Sequence, residues 1–225
     1  MKSRFISIFV VSSLLGITSA RAGTDEAAER DNQGVELLKL GKIDEAIGPL
    51  LKAVELNPKD PDARLNLAYA YEHQGRIDEA ISQYRKAVEL NPRNPIAHNN
   101  LGVLYDKKGL YDEAIRQFEK AVDIDPSSAT GPKNLETAKK NQAVIQEREK
   151  QIAQAADEVE TQPDNPRSAY KLARLYAYYG KKDQAIEWLD KALKLGFNDF
   201  GYLKVDAALE SLRDDPNYIW LLRGR

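Results

Sequence analysis

The side chains that could do acid–base or metal chemistry are few and scattered in this chain of 225 residues. Cysteine is absent, which excludes a thiolate nucleophile, a thiolate metal site, a disulfide and a lipid anchor on cysteine. The two histidines, His73 and His98, stand apart, and no H-E-x-x-H, G-x-S-x-G or glycine-rich phosphate loop occurs. We therefore expect no enzyme activity and no metal or cofactor.

One kind of polar side chain does recur at a fixed spacing. Asn32, Asn66, Asn100 and Asn134 follow one another at intervals of 34 residues, and we call this set the asparagine ladder. Asparagine is a poor residue for helix interiors because its short amide competes for backbone hydrogen bonds. Since an amide both donates and accepts, the ladder could provide helix caps, structural bonds or contact sites.

The elements that position the ladder are predicted from an internal repeat of the same length. Segments 41–61, 75–95 and 109–129 align without gaps. The matching sets are Gly41, Gly75 and Gly109; Asp44, Asp78 and Asp112; Leu50, Tyr84 and Phe118; and Pro58, Pro92 and Pro126.

Each repeat is predicted to be a pair of helices. The glycine can take the left-handed conformation that ends the first helix, and the aspartate is placed to cap the second. The residue before each proline avoids the helical region, so Asn-Pro or Asp-Pro ends the second helix. One such hairpin cannot bury its own apolar face, but stacked hairpins can.

The period and the pattern of Ala80, Tyr84, Ala87 and Pro92 resemble the tetratricopeptide repeat. The resemblance implies an all-α, right-handed superhelical solenoid of antiparallel helix pairs, with a long linking helix and a C-terminal helical cap. It assigns three repeats to residues 23–128 and a further repeat to residues 163–199.

Residues 129–162 depart from the repeat and are predicted to form one long charged helix. Ala138, Ile145, Ile152 and Val159 recur every seven residues along it. The helix is either a degenerate repeat that covers the end of the first stack or a seam for dimerisation.

Residues 200–225 resemble the short helices that close such arrays in bacterial proteins. We expect them to form a cap, with Tyr218, Trp220 and Leu221 docking inward.

Residues 1–22 are predicted to be a secretory signal peptide. Lys2 and Arg4 precede an apolar stretch, and Ala20 and Ala22 form an A-x-A cleavage pattern. The stretch is shorter than the ~20 residues of a spanning helix, so no membrane insertion is expected after cleavage, although an uncleaved anchor or a buried helix is the alternative. The expected location is outside the cytoplasm, in the bacterial periplasm.

The charge balance bears on the partner. The chain has 33 basic and 35 acidic residues, and cleavage after residue 22 would leave 30 basic ones. A nucleic-acid partner is not expected, because phosphate binding needs a concentrated basic face. The expected partner is a protein or a peptide.

The resemblance implies that the first helix of each repeat lines a concave binding face. In peptide-binding members, an asparagine on this face commonly bonds the backbone of an extended ligand, so the ladder predicts either ligand contacts or bonds between neighbouring helices. The candidate contacts are Asn32, Asn66, Tyr69, His73, Asn99, Asn100, Val103, Lys107, Asn134, Tyr170 and Arg174.

Family members that grip the acidic C-terminus of a chaperone need basic residues beside these asparagines. Here the adjacent places hold Asp31, Leu65 and Asn99, which disfavours that ligand. The leading hypothesis is a non-catalytic scaffold in the cell envelope that binds an extended peptide or a partner helix. The alternatives are a structural protein that dimerises through the 132–160 helix and an accessory subunit of an envelope enzyme.

Overall fold

The computed structural model describes residues 23–223, so the predicted signal peptide lies outside the described residues. Within this range the chain forms helices joined by turns, and no strand is found there. The chain divides into two compact units, the first ending at Lys140 and the second beginning at Asn141. None of the described helices is long and apolar enough to cross a membrane.

The first unit is built from paired helices. They are α1 (residues 23–39), α2 (Ile43–Leu56), α3 (Pro61–His73), α4 (Ile77–Leu90), α5 (Pro95–Lys107), α6 (Tyr111–Ile124) and the beginning of α7 (Gly131–Thr161). Helix α3 packs antiparallel on α4, and α5 on α6, while α2–α3 and α4–α5 contacts stack one pair on the next. The pairs are closed by Gly41, Gly75 and Gly109, whose φ angles of 74°, 80° and 73° confirm the predicted left-handed turns.

The prediction that aspartates cap the second helices is wrong. Helix α2 follows a turn in which the N–H groups of Gly41 and Lys42 donate to Leu38 and Leu37. The helix therefore begins at Ile43, and Asp44 comes too late to cap it. Asp78 and Asp112 have the same place in α4 and α6. These carboxylates lie in the first turn, where the helix dipole favours negative charge.

The bulky residue of each second helix packs against a small residue of the first helix. The pairs are Gly34 with Leu50, Ala68 with Tyr84, and Gly102 with Phe118, and all six residues are buried. A Cβ atom added at Gly102 would lie 2.7 Å from Cε1 of Phe118. This close approach explains why glycine stands in the middle of helices α1 and α5.

The second unit contains the end of α7 and the cap. Its other elements are α8 (Pro166–Tyr178), α9 (Lys182–Lys194), α10 (Phe200–Val205), a 3₁₀ helix (Ala207–Leu212) and α11 (Pro216–Leu222). Helices α8 and α9 form an antiparallel pair, the 3₁₀ helix contacts both of them, and α11 contacts α9. The cap buries Leu203, Leu209 and Leu212 completely.

Helix α11 corrects one detail of the predicted cap. Tyr218 and Leu221 are buried as expected, but Trp220 is 71% exposed. Trp220 lies two positions after Tyr218, which is about 200° around a helix. The two aromatic side chains therefore point in nearly opposite directions.

The predicted seam of α7 is used within the units themselves. Ala138 is buried in the first unit beside Ala114 and Phe118. Val159 is buried in the second unit and packs, together with the partly buried Ile152, in a cluster around Leu172. These packing contacts explain three of the four seam residues without a second copy of the chain. The fourth, Ile145, is half-buried and belongs to none of the hydrophobic clusters found among residues 23–223.

Candidate functional site

The candidate site is the face formed by the first helices of the first unit, and side-chain caps fix where these helices begin. Asp60 accepts from the backbone N–H groups of residues 62 and 63, and Asn94 accepts from those of residues 96 and 97. Pro61 and Pro95 then occupy the first helical position, where no N–H is needed. Asn66 and Asn100 consequently fall at the same place, the sixth residue of α3 and of α5.

Two asparagines of the ladder donate hydrogen bonds to the preceding repeat. Asn66 Nδ2 donates to both carboxylate oxygens of Asp31, at 3.1 Å each. Asn134 Nδ2 donates to Oδ1 of Asn99 at 3.0 Å. In both cases the acceptor stands immediately before the ladder position of its own repeat. The ladder therefore joins neighbouring repeats, which was one of the two roles expected from the sequence.

The third asparagine of the ladder, Asn100, has a different kind of acceptor. In the preceding repeat the residue before the ladder position is Leu65, and its side chain cannot accept a hydrogen bond. Asn100 Nδ2 donates instead to the hydroxyl of Tyr84 at 3.3 Å. That hydroxyl donates to Glu72 Oε2 at 3.2 Å, and Lys107 Nζ donates to Glu72 Oε1 at 2.9 Å. Burial, with the nearby Glu72 charge, raises the pKa of Tyr84, so the phenol stays neutral and keeps its proton for Glu72.

Each repeat of the first unit therefore supplies one acceptor to the next repeat from one of two places. The first place is the residue before the ladder asparagine, and the second is the bulky residue of the second helix. The acceptor is Asp31 in the first repeat, Tyr84 in the second and Asn99 in the third. The repeat alignment places Asn99 in one column with Asp31 and Leu65 but does not reveal this pattern, because no single column of the repeat contains all the acceptors.

A negative charge lies at the α1 end of the face. Burial raises the pKa of Asp31, the hydrogen bond from Asn66 opposes that effect, and nearby Asp60 and Asp62 raise the pKa further. The net pKa lies above the ordinary value for aspartate. The influence of Asp60 and Asp62 shows that carboxylates are concentrated near Asp31, and this concentration is unfavourable for an acidic ligand.

The other candidates of the first unit differ in exposure. Asn32 is exposed. Tyr69 is 40% exposed, and its ring centroid lies 4.0 Å from that of the exposed His73. A small cavity of about 180 Å³ brings together Val103, Lys107 and Asn134. The exposed Tyr69–His73 pair is thus the main aromatic feature that a ligand could contact on α3.

His98, by contrast, is a core residue. It is 5% exposed, with Nδ1 2.8 Å from Gln117 Oε1 and Nε2 3.0 Å from the carbonyl oxygen of Pro92. Both ring nitrogens are held by neighbouring groups, so the histidine links α5 to α6 and to the turn before α5.

Tyr170 and Arg174, the candidates of the second unit, hold the cap. The Tyr170 hydroxyl donates to Asp206 Oδ2 at 2.6 Å. Arg174 Nη2 donates to Asp206 Oδ1 at 3.2 Å, while Nε lies 2.6 Å from Oδ2 without the alignment of a hydrogen bond. Asp206 also accepts from the N–H of Ala208 at 3.0 Å.

Asp206 is 4% exposed, and its ionisation is governed by these partners. Burial alone would raise its pKa, but the hydrogen bonds from Tyr170, Ala208 and Arg174 outweigh burial, and the pKa lies below its ordinary value. The contact between Tyr170 and Asp206 was not predictable from sequence, because helical spacing identifies a face and not a partner 36 residues away.

Comparison with known families identifies the class of protein. A model described as Tetratricopeptide repeat matches residues 32–95 and 74–129, and a second model with the same description matches residues 166–198. Together these segments cover more than half of the chain. The chain belongs to the tetratricopeptide repeat family.

Solved structures share this fold. The first TPR of Spaghetti (RPAP3) bound to HSP90 peptide SRMEEVD is 25% identical, with a TM-score of 0.52, over 53% of this chain and 95% of that chain. The Sgt2 TPR domain from Aspergillus fumigatus is 22% identical, with a TM-score of 0.52, over 55% and 83% of the two chains. YrrB, described as a TPR protein with an unusual peptide-binding site, is 20% identical, with a TM-score of 0.51, over 84% and 95%. No curated protein sequence matches significantly.

Proposed function

We propose that this chain is a non-catalytic protein-binding scaffold that holds an extended peptide or a partner helix against the first-helix face of its first unit. The observation that carries this proposal is the exposed Tyr69–His73 pair on α3, which lies one turn from the amide of Asn66. An aromatic surface beside a hydrogen-bonding group is typical of positions that dominate binding. The RPAP3 domain, which was solved with a bound peptide, supports a peptide ligand.

The charges of the face limit the ligand. Asp31 and Glu72 are acidic, and the ammonium group of Lys107 is already paired with Glu72. The face therefore offers poor compensation for an acidic tail. A neutral or basic segment with an aromatic or aliphatic side chain for Tyr69 and His73 fits better.

The cell envelope is part of the same proposal, and it rests on the signal-like pattern of residues 1–22. Fusion of this segment to a reporter that is active only outside the cytoplasm tests the location. An inactive reporter would contradict the export of this chain.

Peptide selection tests the binding face directly. Residues 23–223 are used to select ligands from a random peptide library, and the affinity of a selected peptide is measured by fluorescence anisotropy. The double variant Tyr69→Ala with His73→Ala should weaken binding at least about tenfold, as expected for aromatic hot spots. The control is Tyr178→Ala, since Tyr178 is 71% exposed in the second unit.

This aromatic variant is preferable to substitution of the ladder. Asn66 and Asn100 also bond neighbouring helices, so their replacement would change the fold and the face together. Unchanged affinity of the Tyr69 and His73 double variant would show that peptides bind elsewhere.

A further inference from the structure

The second unit contains a cavity of about 400 Å³ between the middle of α7 and the C-terminal end of α8. This volume is within the range of about 300–1,000 Å³ that is usual for ligand sites. The lining residues are Ala143, Val144, Glu147, Arg148, Tyr178 and Tyr179. The cavity therefore combines an apolar and aromatic surface with one acidic and one basic side chain.

The two tyrosine rings form a corner of this cavity. Their centroids lie 5.1 Å apart, and their planes meet at 67°. The guanidinium carbon of Arg148 lies 5.2 Å from the centre of the Tyr179 ring, which is a cation–π distance. The Tyr179 ring thus already holds a cation of the protein, whereas Tyr178 is mostly exposed and its ring is open to a ligand.

The acidic side chain of the cavity is held in place by hydrogen bonds. The hydroxyl of Tyr179 donates to Oε1 of Gln151 at 2.6 Å, and Nε2 of Gln151 donates to Oε1 of Glu147 at 2.9 Å. Gln151 therefore fixes the carboxylate and the aromatic ring relative to each other. Side chains that are ordered before binding reduce the entropy that a ligand must overcome.

The two charges of the lining are free of ionic partners. Within residues 23–223, no ion pair of Glu147 or Arg148 is found. A guanidinium that stacks on a ring keeps its N–H groups in its own plane, where they can still bind an oxyanion. A ligand with one charge would meet one like charge here, so a zwitterion is the complementary ligand.

The geometry points to a binding site for a small zwitterion that joins a quaternary ammonium to a phosphate, which is the chemistry of phosphocholine. The methyl groups of the ammonium pack on the Tyr178 ring and on Val144, and Glu147 supplies the counter-charge. The phosphate accepts hydrogen bonds from Arg148. Tyrosine rings suit this ammonium because the negative face of the ring attracts a cation that carries apolar methyl groups.

This site goes beyond the function proposed above. It lies in the second unit alone, its ligand is not a peptide, and it requires nothing of the first-helix face. The phosphocholine group occurs as a free compound and as a lipid headgroup, and both present the same chemistry to the cavity. The experiment therefore needs an arm for each source.

The first arm measures the affinity of the full chain for free phosphocholine by isothermal titration calorimetry. Choline lacks the phosphate, and phosphoethanolamine lacks the methyl groups, so these two compounds are the control ligands. Phosphocholine should bind at least about threefold more tightly than either control, as expected for contacts at an open site. Absence of binding in both arms, or equal affinity for all three compounds, overturns the proposal.

The second arm measures sedimentation of the full chain with vesicles. Sedimentation with phosphatidylcholine vesicles, but not with phosphatidylglycerol vesicles, would assign the site to the lipid headgroup if free phosphocholine competes. Binding of free phosphocholine without sedimentation would assign the site to the free compound. Equal sedimentation with both kinds of vesicle and no competition would overturn the proposal.

Variants of the aromatic corner locate the site. Tyr178→Ala should weaken phosphocholine binding at least about threefold, whereas Tyr178→Phe keeps the ring and should bind like the parent. The matched control is Trp220→Ala, since Trp220 has the same exposed fraction of 71% and lies outside the cavity lining. Equal losses in Tyr178→Ala and Trp220→Ala would contradict this location.

A charge variant tests the phosphate contact. Arg148→Gln should remove the preference for phosphocholine over choline, while Lys150→Gln removes the same charge from an exposed residue outside the lining and should keep it. Circular dichroism of both variants should match the parent. A preference that survives Arg148→Gln would refute the role of this guanidinium.

The two proposals are separated by their own variants. The Tyr69→Ala and His73→Ala double variant should bind phosphocholine normally even if it loses the peptide selected for the first unit. Tyr178→Ala should show the opposite behaviour. Each surface can therefore fail its own test without affecting the other.

Discussion

Asp206 brings three donors to one buried carboxylate: the Tyr170 hydroxyl, the Arg174 guanidinium and the Ala208 N–H. Through them, a residue at the start of the 3₁₀ helix is tied to two residues of α8, which is the first helix of its pair. A buried charge is favourable only while such partners remain. The cap is therefore held to its repeat by polar contacts as well as by leucine packing.

Replacing Asp206 with asparagine should destabilise the second unit by about 2–4 kcal/mol, because Arg174 would lose its counter-charge and one oxygen acceptor would disappear. Tyr170→Phe, which removes only one bond, should cost about 1 kcal/mol. Urea unfolding followed by tryptophan fluorescence measures both, since Trp188 and Trp220 lie in this unit. Equal costs for the two variants would contradict the central role of Asp206.

The same variant should change the acid response. Because the folded pKa of Asp206 is lowered, its ionisation stabilises the fold above the unfolded value of about 3.9 and ceases to do so as pH falls through the folded value. The parent should therefore lose stability below about pH 4 more steeply than Asp206→Asn. Parallel pH profiles of the two proteins would show that another carboxyl is responsible.

At the scale of the helix pair, the small residue of each first helix limits how closely its partner can lie. An alanine normally gains about 1 kcal/mol over glycine inside a helix. At position 102 its Cβ would lie 2.7 Å and 2.8 Å from Cε1 and Cδ1 of Phe118. Overpacking costs about 1–3 kcal/mol, which exceeds the gain.

Gly102→Ala should therefore reduce stability by roughly 1–2 kcal/mol despite the better helix propensity of alanine. In a Phe118→Leu background the same substitution should cost less, since the smaller side chain leaves room. Gly201→Ala is the control, because its nearest atom, Asp199 Oδ1, is at an ordinary 3.7 Å. Circular dichroism in urea measures all three, and a stabilising Gly102→Ala would refute the packing explanation.

Local signals made the helices and turns predictable from sequence. A glycine that follows an apolar helical stretch predicted the left-handed turns at Gly41, Gly75 and Gly109. Capping was less predictable, because a shift of two residues, from the predicted cap at Asp44 to the observed cap position at Lys42, decides which side chain can cap the helix. The face of the candidate site was likewise predictable, but its hydrogen bonds join residues about 35 apart, and periodicity alone does not pair them.

At the scale of the whole molecule, the two compact units provide separate optical signals. Both tryptophans belong to the second unit, whereas helices of both units contribute to circular dichroism. Tryptophan fluorescence therefore reports on the second unit, whereas circular dichroism reports on both units. Repeat arrays unfold as one body only when the interfaces between repeats are strong enough.

Asp206→Asn should shift the midpoint of the fluorescence transition and leave part of the circular dichroism change at the parental midpoint. The unshifted part comes from the first unit, whose packing does not involve Asp206. Thermal or urea unfolding with both probes measures this. Coincident shifts in the two signals would instead mean that the units unfold together.

The acceptors of the asparagine ladder have a consequence for how such an array can grow. Asp31, Tyr84 and Asn99 each lie in the repeat that precedes the repeat of the asparagine they serve. Because each repeat accepts from the next one, a gene duplication or deletion of whole repeats would leave an acceptor on one side of the new junction and a ladder asparagine on the other.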